Sequence, residues 1–427
     1  MPFTQRLSEI RTGFERPFWI ANISEIFERL AYYGAFSSLA VYLQEKLNFS
    51  TEQTGTLTGI FGGMVWFLAI FGGAVADRLG FRRALSIAYL ILAAAYFLVG
   101  SVGAVWLAPI RNAVPLGLFV GVILILPALG ISMVKPSVVG TTARASKPNV
   151  RSIGYSIYYT MVNIGGAAGP YVAGWAHKHL GLEPVFRISA LSVFAMFFLV
   201  LLLFREPKRA ADEPAPTIAR TLRNFLVVLG NPKFMLFLLI FTGYWIVYWQ
   251  QYISLPGYVH AHIDANASVE WILVTDAAAV IALTLLVNFL TRGIPAFTAI
   301  IIGTLITSLS WLILAFHPTV LGCYVTIFVL ALGEIIHQPR YYEYISRLAP
   351  PGQQGTYMGF AFLPLGIGSL VGGWFGGRVM HHYAEVEHHP AQAWYVITAV
   401  GVLTALLLLI YDRLVKPTES TASARPS

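Results

Sequence analysis

Twelve apolar runs, each long enough to cross a bilayer as a helix, constrain this chain more than any other feature of its sequence. They fall at about 17–43, 54–77, 82–103, 114–139, 151–175 and 185–204, then at about 233–256, 269–290, 294–316, 319–347, 354–380 and 391–411. A hydrocarbon layer about 30 Å thick takes roughly 20 residues of helix rising 1.5 Å each. In that solvent each segment must satisfy its own backbone polar groups, which helices do. The expected fold is therefore an all-α membrane protein, with twelve transmembrane helices in two six-helix bundles. A mean hydropathy of +0.68 with only 11% charged residues excludes an ordinary soluble domain. The expected domains are a polar N-terminus (1–16), a first bundle (17–204), a linker (205–231), a second bundle (232–412) and a tail (413–427). The linker is marked by Pro207, Pro214, Pro216 and clustered bases.

Charge sets the expected orientation. If both termini are cytoplasmic, 21 of the 28 lysines and arginines fall on their side and five on the other. Arg29 and Lys135 lie inside spans. That bias matches the positive-inside rule, so the pI near 9.5 reports membrane sidedness rather than nucleic-acid binding. Met1–Arg16 lacks the short apolar core of a cleaved signal peptide, so the first span is expected to act as the insertion signal. Cys323 is the single cysteine, which rules out an intrachain disulfide.

Against this background the charges inside the spans stand out. Glu25, Glu28 and Arg29 share one face of the first span, roughly 12–18 Å from its start. Each would cost on the order of 2.5–3.5 kcal/mol facing lipid, so all three are expected to face protein or water. A buried pair locking two helices would explain one carboxylate, but not two. Asp276, an acid in the eighth span, is either functional or a packing partner. His337 is either a proton relay or an ordinary hydrogen-bonded residue. The run from His381 to His389 has a metal-ligand composition, but a solvated loop accounts for it, and no metal site is expected. Tyr32, Tyr33, Tyr158, Tyr159, Trp245, Trp249 and Tyr252 could line a cavity or simply pack.

The halves repeat. Gly130–Pro136 in the fourth span lines up with Gly333–Pro339 in the tenth, and Gly154, Gly165 and Trp175 have counterparts at Gly355, Gly366 and Trp374. Repeated halves suit a carrier whose midplane site alternates its access. Between the second and third spans, Gly72-Gly73-Ala74-Val75-Ala76-Asp77-Arg78-Leu79-Gly80-Phe81-Arg82-Arg83 resembles the cytoplasmic signature of the major facilitator superfamily. Gly73, Asp77, Arg78, Gly80 and Arg82 are read as a conformational latch, with Asp77 able to meet a helix N-terminus.

Within that superfamily, Glu25-Ile26-Phe27-Glu28-Arg29-Leu30-Ala31-Tyr32-Tyr33-Gly34 resembles the first-helix signature of the proton-dependent oligopeptide transporters. Lys135-Pro136, Tyr158–Gly165, Trp245 with Gln250-Gln251, and Gly333-Glu334 extend the resemblance over most of the chain. It implies proton coupling at Glu25, Glu28 and Arg29, to which this sequence adds Asp276. It implies a substrate site formed by Arg29, Tyr32, Tyr33, Trp66, Lys135, Tyr159, Asn163, Trp245, Gln250 and Glu334. Arg29 and Lys135 would hold a carboxylate and Glu334 an amino group, which suits a small zwitterion. A Lys135–Glu334 gate is compatible with that role. The sequence departs from the family at Phe360-Ala361-Phe362, Trp66 and Asp276, and in a linker too short for two extra helices.

No phosphate-cradling loop, nucleophile elbow or paired metal motif occurs, so neither an enzyme nor a nucleotide-driven pump is expected, and there are no catalytic residues to name. The expected function is proton-coupled import of di- or tripeptides or related zwitterions by alternating access. The only energy source expected is the proton gradient, with no cofactor. The expected setting is a monomer in the bacterial inner membrane, with no nucleic-acid partner. The alternatives are a proton antiporter exporting amphiphilic or cationic compounds and, more remotely, a non-transporting receptor.

Overall fold

The computed structural model describes residues 12–207, 226–349 and 354–415, except the side chains of Ile70, Ala74, Asp77, Ser152 and residues 354–356. Long helices follow the apolar runs closely. In the first half they are α1 (Arg16–Glu45), α2 (Thr51–Leu79), α3 (Phe81–Val99), α4 (Leu116–Arg144), α5 (Arg151–Leu180) and α6 (Leu182–Leu203). In the second they are α7 (Pro232–Tyr248), α8 (Val269–Thr291), α9 (Ala296–Phe316), α10 (Val320–Leu348), α11 (Leu363–Met380) and α12 (Pro390–Leu414). Short helical pieces extend α7 over Gln250–Ile253 and Leu255–His262, and Gln354–Phe360 leads into α11. Among the described residues, nine helices are long and apolar enough to cross a membrane. α1 has the length, at 30 residues, but not the composition, because Glu25, Glu28 and Arg29 interrupt it. Among the described residues the one β pairing is an isolated bridge between Phe14 and Ser146.

The chain divides into two compact units, and the division does not follow the expected halves. One unit is Met1–Tyr42 with Leu68–Thr221, and the other is Leu43–Phe67 with Leu222–Ser427. The end of α1 and the first part of α2 thus group with the C-terminal helices. The linker residues 208–225 and the tail from 416 lie outside the described residues.

In the first unit, α3 packs on α4 and α6, and α4 packs on α5. Small residues set the closest approaches. A Cβ at Gly169 of α5 would stand 2.6 Å from the Leu30 carbonyl oxygen and 2.8 Å from the Gly34 nitrogen of α1. Without a strong hydrophobic drive between helices in lipid, such backbone contact contributes much of the packing. Pro136 runs inside α4 and leaves the Ser132 carbonyl without its usual partner four residues on. Gly72 of α2 packs directly against that carbonyl.

In the second unit, α9 packs on α10 and α12, α8 on α10, and α7 on α11 and α12. Trp311 of α9 and Trp394 of α12 are fully buried and stacked, with ring centroids 4.6 Å apart. Pro339 lies inside α10, as Pro136 does in α4. A glycine row joins α2 to α11. A Cβ at Gly55 would stand 2.5 Å from the Gly373 carbonyl oxygen, and one at Gly59 would stand 2.6 Å from that of Ser369. Ser369 also donates from Oγ to the Gly59 carbonyl at 3.2 Å.

Candidate functional site

The polar interior of the first unit is built on α1. Glu25 and Glu28 are fully buried and Arg29 is 3% exposed. The helical spacing brings both carboxylates to one guanidinium. Arg29 donates from Nε to Glu28 Oε2 at 2.5 Å, and Nε stands 3.4 Å from Glu25 Oε1. The guanidinium carbon lies 5.4 Å from the centre of the Tyr32 ring. Tyr33 and Tyr158 stand close enough to Arg29 to act on its charge, as Tyr89 does beside Glu25. Lys135 of α4 adds a second positive charge beside both carboxylates. Gly165 lets α5 close over the cluster, since a Cβ there would stand 2.7 Å from the Arg29 Cβ. Glu28 Oε1 and Glu25 Oε2 are buried and accept no hydrogen bond from a described donor. A buried carboxylate oxygen in that condition is costly to leave bare, and a proton relieves it.

The second unit holds a different arrangement. Asp276 of α8 is 7% exposed, and its Oδ2 accepts a 3.1 Å hydrogen bond from the Tyr248 hydroxyl of α7. Glu334 of α10 stands close enough for its charge to act on Asp276, and it accepts from the Gln338 amide at 3.4 Å. Gln251 lies near Asp276, but its amide makes no hydrogen bond among the described residues. The next base along α10, Arg340, is taken by Glu343 at 3.1 Å. Among the described residues the two clusters therefore differ: two acids with two bases in the first unit, and two acids beside the Tyr248 hydroxyl in the second.

The substrate residues named from sequence distribute unevenly. Tyr159 is exposed and Asn163, Lys135, Glu334 and Tyr33 are partly exposed, whereas Tyr32, Trp66, Trp245 and Gln250 are buried. Trp66 stacks on Phe362 with centroids 5.5 Å apart. Gln250 donates to the Ile246 and Gly372 carbonyls at 2.8 and 3.1 Å, so in this conformation it fastens α7 to α11. His337 is fully buried, its Nδ1 3.2 Å from the Gly333 carbonyl and its ring 4.2 Å from that of Tyr244. The histidines after α11 pair with carboxylates, His381 with Glu385 at 2.6 Å and His382 with Glu387 at 3.1 Å. Among the described residues no group of three or more His, Cys, Asp or Glu is arranged to hold a metal.

The latch segment contains a partner that sequence reading missed. Glu206, after α6, accepts from the Phe81 and Arg82 backbone nitrogens, both at 2.8 Å, and so caps α3. Arg82 in turn donates to the Leu201 carbonyl at 2.6 Å. Gly80 makes the turn at φ +80°, a conformation that glycine adopts without strain. The Asp77 side chain lies outside the described residues.

A family model for the Major Facilitator Superfamily matches residues 22–373. The chain belongs to that superfamily. It is a membrane transporter, and the buried charges belong to its interior. Among curated relatives, the multidrug resistance protein MdtH of Aeromonas salmonicida (strain A449) is 25% identical over 394 residues, covering 92% of this chain and 94% of the relative. MdtH of Escherichia coli (strain K12 / DH10B) is 23% identical, covering 89% and 90%. Solved structures share the fold. The peptide transporter POT in complex with sulfate matches with a TM-score of 0.73 at 18% identity, covering 93% of this chain and 94% of that one. A POT family transporter in complex with 5-aminolevulinic acid gives 0.75 at 14%, covering 93% and 96%. The nucleoside transporter NupG gives 0.77 at 13%, covering 92% and 99%.

Proposed function

We propose that this superfamily member is a proton-coupled secondary carrier of small amine-bearing molecules, with Glu25 and Glu28 carrying the coupled proton. The observation that carries the reading is the buried Glu25–Glu28–Arg29 triad, whose carboxylate oxygens include two with no donor. Two acids share one guanidinium, so a proton gained by either weakens its hold on Arg29 and lets the cation meet another anion. Coupling needs such a link between proton binding and rearrangement. The reading places both termini in the cytoplasm and the chain, as a monomer, in a bacterial inner membrane. Di- and tripeptides and related zwitterions are the substrate class of this reading.

A second reading is export of amphiphilic cations in exchange for protons. The acid pair Asp276–Glu334 favours this reading, as do relatives named for multidrug resistance. Flux measurements on purified protein in liposomes, against a panel of dipeptides, amino acids and lipophilic cations, separate the two. Dipeptide uptake along an inward proton gradient supports import, and cation movement against the proton flow supports exchange. No gradient-dependent flux of any panel member would refute both.

A further inference from the structure

We propose that His260 and Glu45 form a proton-operated clasp, which fastens the turn between α1 and α2 to the extension of α7 when the pair holds one extra proton. The inference goes beyond the readings above and holds under either of them, because it involves no substrate.

Both residues belong to the second unit, in which the end of α1 and the start of α2 group with the C-terminal helices. Each nitrogen of the His260 ring faces an oxygen. Nδ1 stands 2.7 Å from Glu45 Oε1, and Nε2 stands 3.0 Å from the Ala267 carbonyl. An ionised carboxylate and a carbonyl can only accept, and a neutral imidazole carries one N–H and one bare nitrogen. The neutral ring therefore donates to one of these oxygens and meets the other lone pair to lone pair. One added proton removes the conflict. It sits on the ring, which then donates twice, or on the Glu45 carboxyl, which then donates to the ring. Imidazole is the side chain that ordinarily titrates between about pH 5 and 8, so the contact is set to respond in that range. Because the fastened form holds the proton, its share grows as pH falls and shrinks as pH rises.

The surroundings suit a contact that opens. His260 lies on the piece Leu255–His262, which follows a break in α7 at Ser254. Gly257 lets the end of α1 come close, since a Cβ there would stand 2.5 Å from Gln44 Oε1. Elsewhere these segments are not packed solid. A cavity of about 340 Å3 is lined by Gln44, Thr51, Ser254, Gly257, His262 and Glu385, so polar contacts contribute to the hold at this end.

Charged groups on the neighbouring segments have contacts of their own. Glu52 of α2 stands 4.0 Å from Arg378 of α11. After α11, Glu385 accepts from Thr51 and stands 2.6 Å from His381, and His382 stands 3.1 Å from Glu387. Beside His260 on its own segment, His262 lies against the Tyr258 ring at 5.3 Å, and Asp264 accepts from the Asn266 backbone. Lys46 follows Glu45 in the turn. Among the described residues, His381 and His382 each meet a carboxylate through one ring nitrogen, whereas His260 has an acceptor at both.

Spin labels at Gln53→Cys and Ala265→Cys, both exposed positions, report the separation of the two segments in the purified full chain with Cys323→Ala as background. Acidification from about pH 8 to about pH 5.5 should raise the ratio of short to long distances on the order of fivefold, the scale of a partly exposed ion pair. Glu45→Gln is the decisive variant. Its amide can donate to the neutral ring, so the contact is complete without the proton, and the short distance should persist across the whole range. His260→Ala removes the contact and should favour the long distance at both ends. Size-exclusion behaviour of each variant checks folding. Three outcomes overturn the proposal: a wild-type distance that ignores pH, a pH response that survives in Glu45→Gln, or one that survives in His260→Ala.

Discussion

Arg29 holds Glu28 at 2.5 Å through the same nitrogen that stands 3.4 Å from Glu25, so one guanidinium serves two fully buried carboxylates. Glu28→Gln keeps the shape but removes the charge that makes the shorter contact. Gradient-driven accumulation should be lost while counterflow exchange, which needs no net proton movement, continues. Thermal stability should fall modestly, because Glu25 remains to partner Arg29 and spares most of the roughly 3–5 kcal/mol cost of an orphaned buried charge. Accumulation at the wild-type level would remove Glu28 from the coupling role.

Glu206 satisfies two backbone donors at the start of α3, both at 2.8 Å. Glu206→Ala leaves these without their carboxylate and should cost about 1 kcal/mol, the usual scale for a helix N-terminal partner. Glu206→Gln, which keeps an acceptor oxygen, should lose less. Melting curves of the purified variants order the three proteins. Equal melting temperatures would show that solvent replaces the cap without loss.

The glycine row between α2 and α11 gives a third expectation. A side chain at Gly59 would strike the Ser369 carbonyl at 2.6 Å and the Gly373 Cα at 2.9 Å, both of them backbone. Gly59→Val should therefore separate the two helices and abolish transport. Gly103→Ala, where nothing lies within 4 Å, should be silent. A Gly59→Val protein with full transport would show that this packing is dispensable.

Substrate polarity can be read from paired analogues under the zwitterion reading. Glu334→Gln should weaken a free-amine dipeptide by at least tenfold, about 1.4 kcal/mol, and an N-acetylated one little. Lys135→Gln should reverse the pattern, hurting the free carboxylate more than its amide. Competition uptake with the four analogues measures both. Equal loss of all analogues in both variants would make the two residues scaffold or gate.

Much of this was legible in the sequence because membrane spans are written in composition. The limits of α1, α4 and α10 fall within a few residues of their apolar runs, and helical spacing alone put Glu25, Glu28 and Arg29 on one face. Pro136 and Pro339, read as repeat-related, each lie inside a long helix. What sequence could not show was pairing between distant segments. Glu206 sits 125 residues from the helix it caps, and no local pattern links them. Gln250 looked like a substrate contact, yet its amide is spent on the Gly372 carbonyl, because glycines bring α11 close to it. The grouping of Leu43–Phe67 with the C-terminal helices was also unreadable, since the repeat placed that stretch in the first half. Asp276 was visible as an acid in a span, but its neighbour Glu334 lies on another helix.

The central claim is that substrate and proton move together, and proton movement itself tests it most directly. Purified protein is reconstituted in liposomes that enclose a pH-reporting dye, with no imposed gradient, and a substrate identified in the panel is added outside. The account predicts a change in internal pH that tracks the amount of substrate moved and disappears in Glu28→Gln. Substrate flux with no change in internal pH would contradict it.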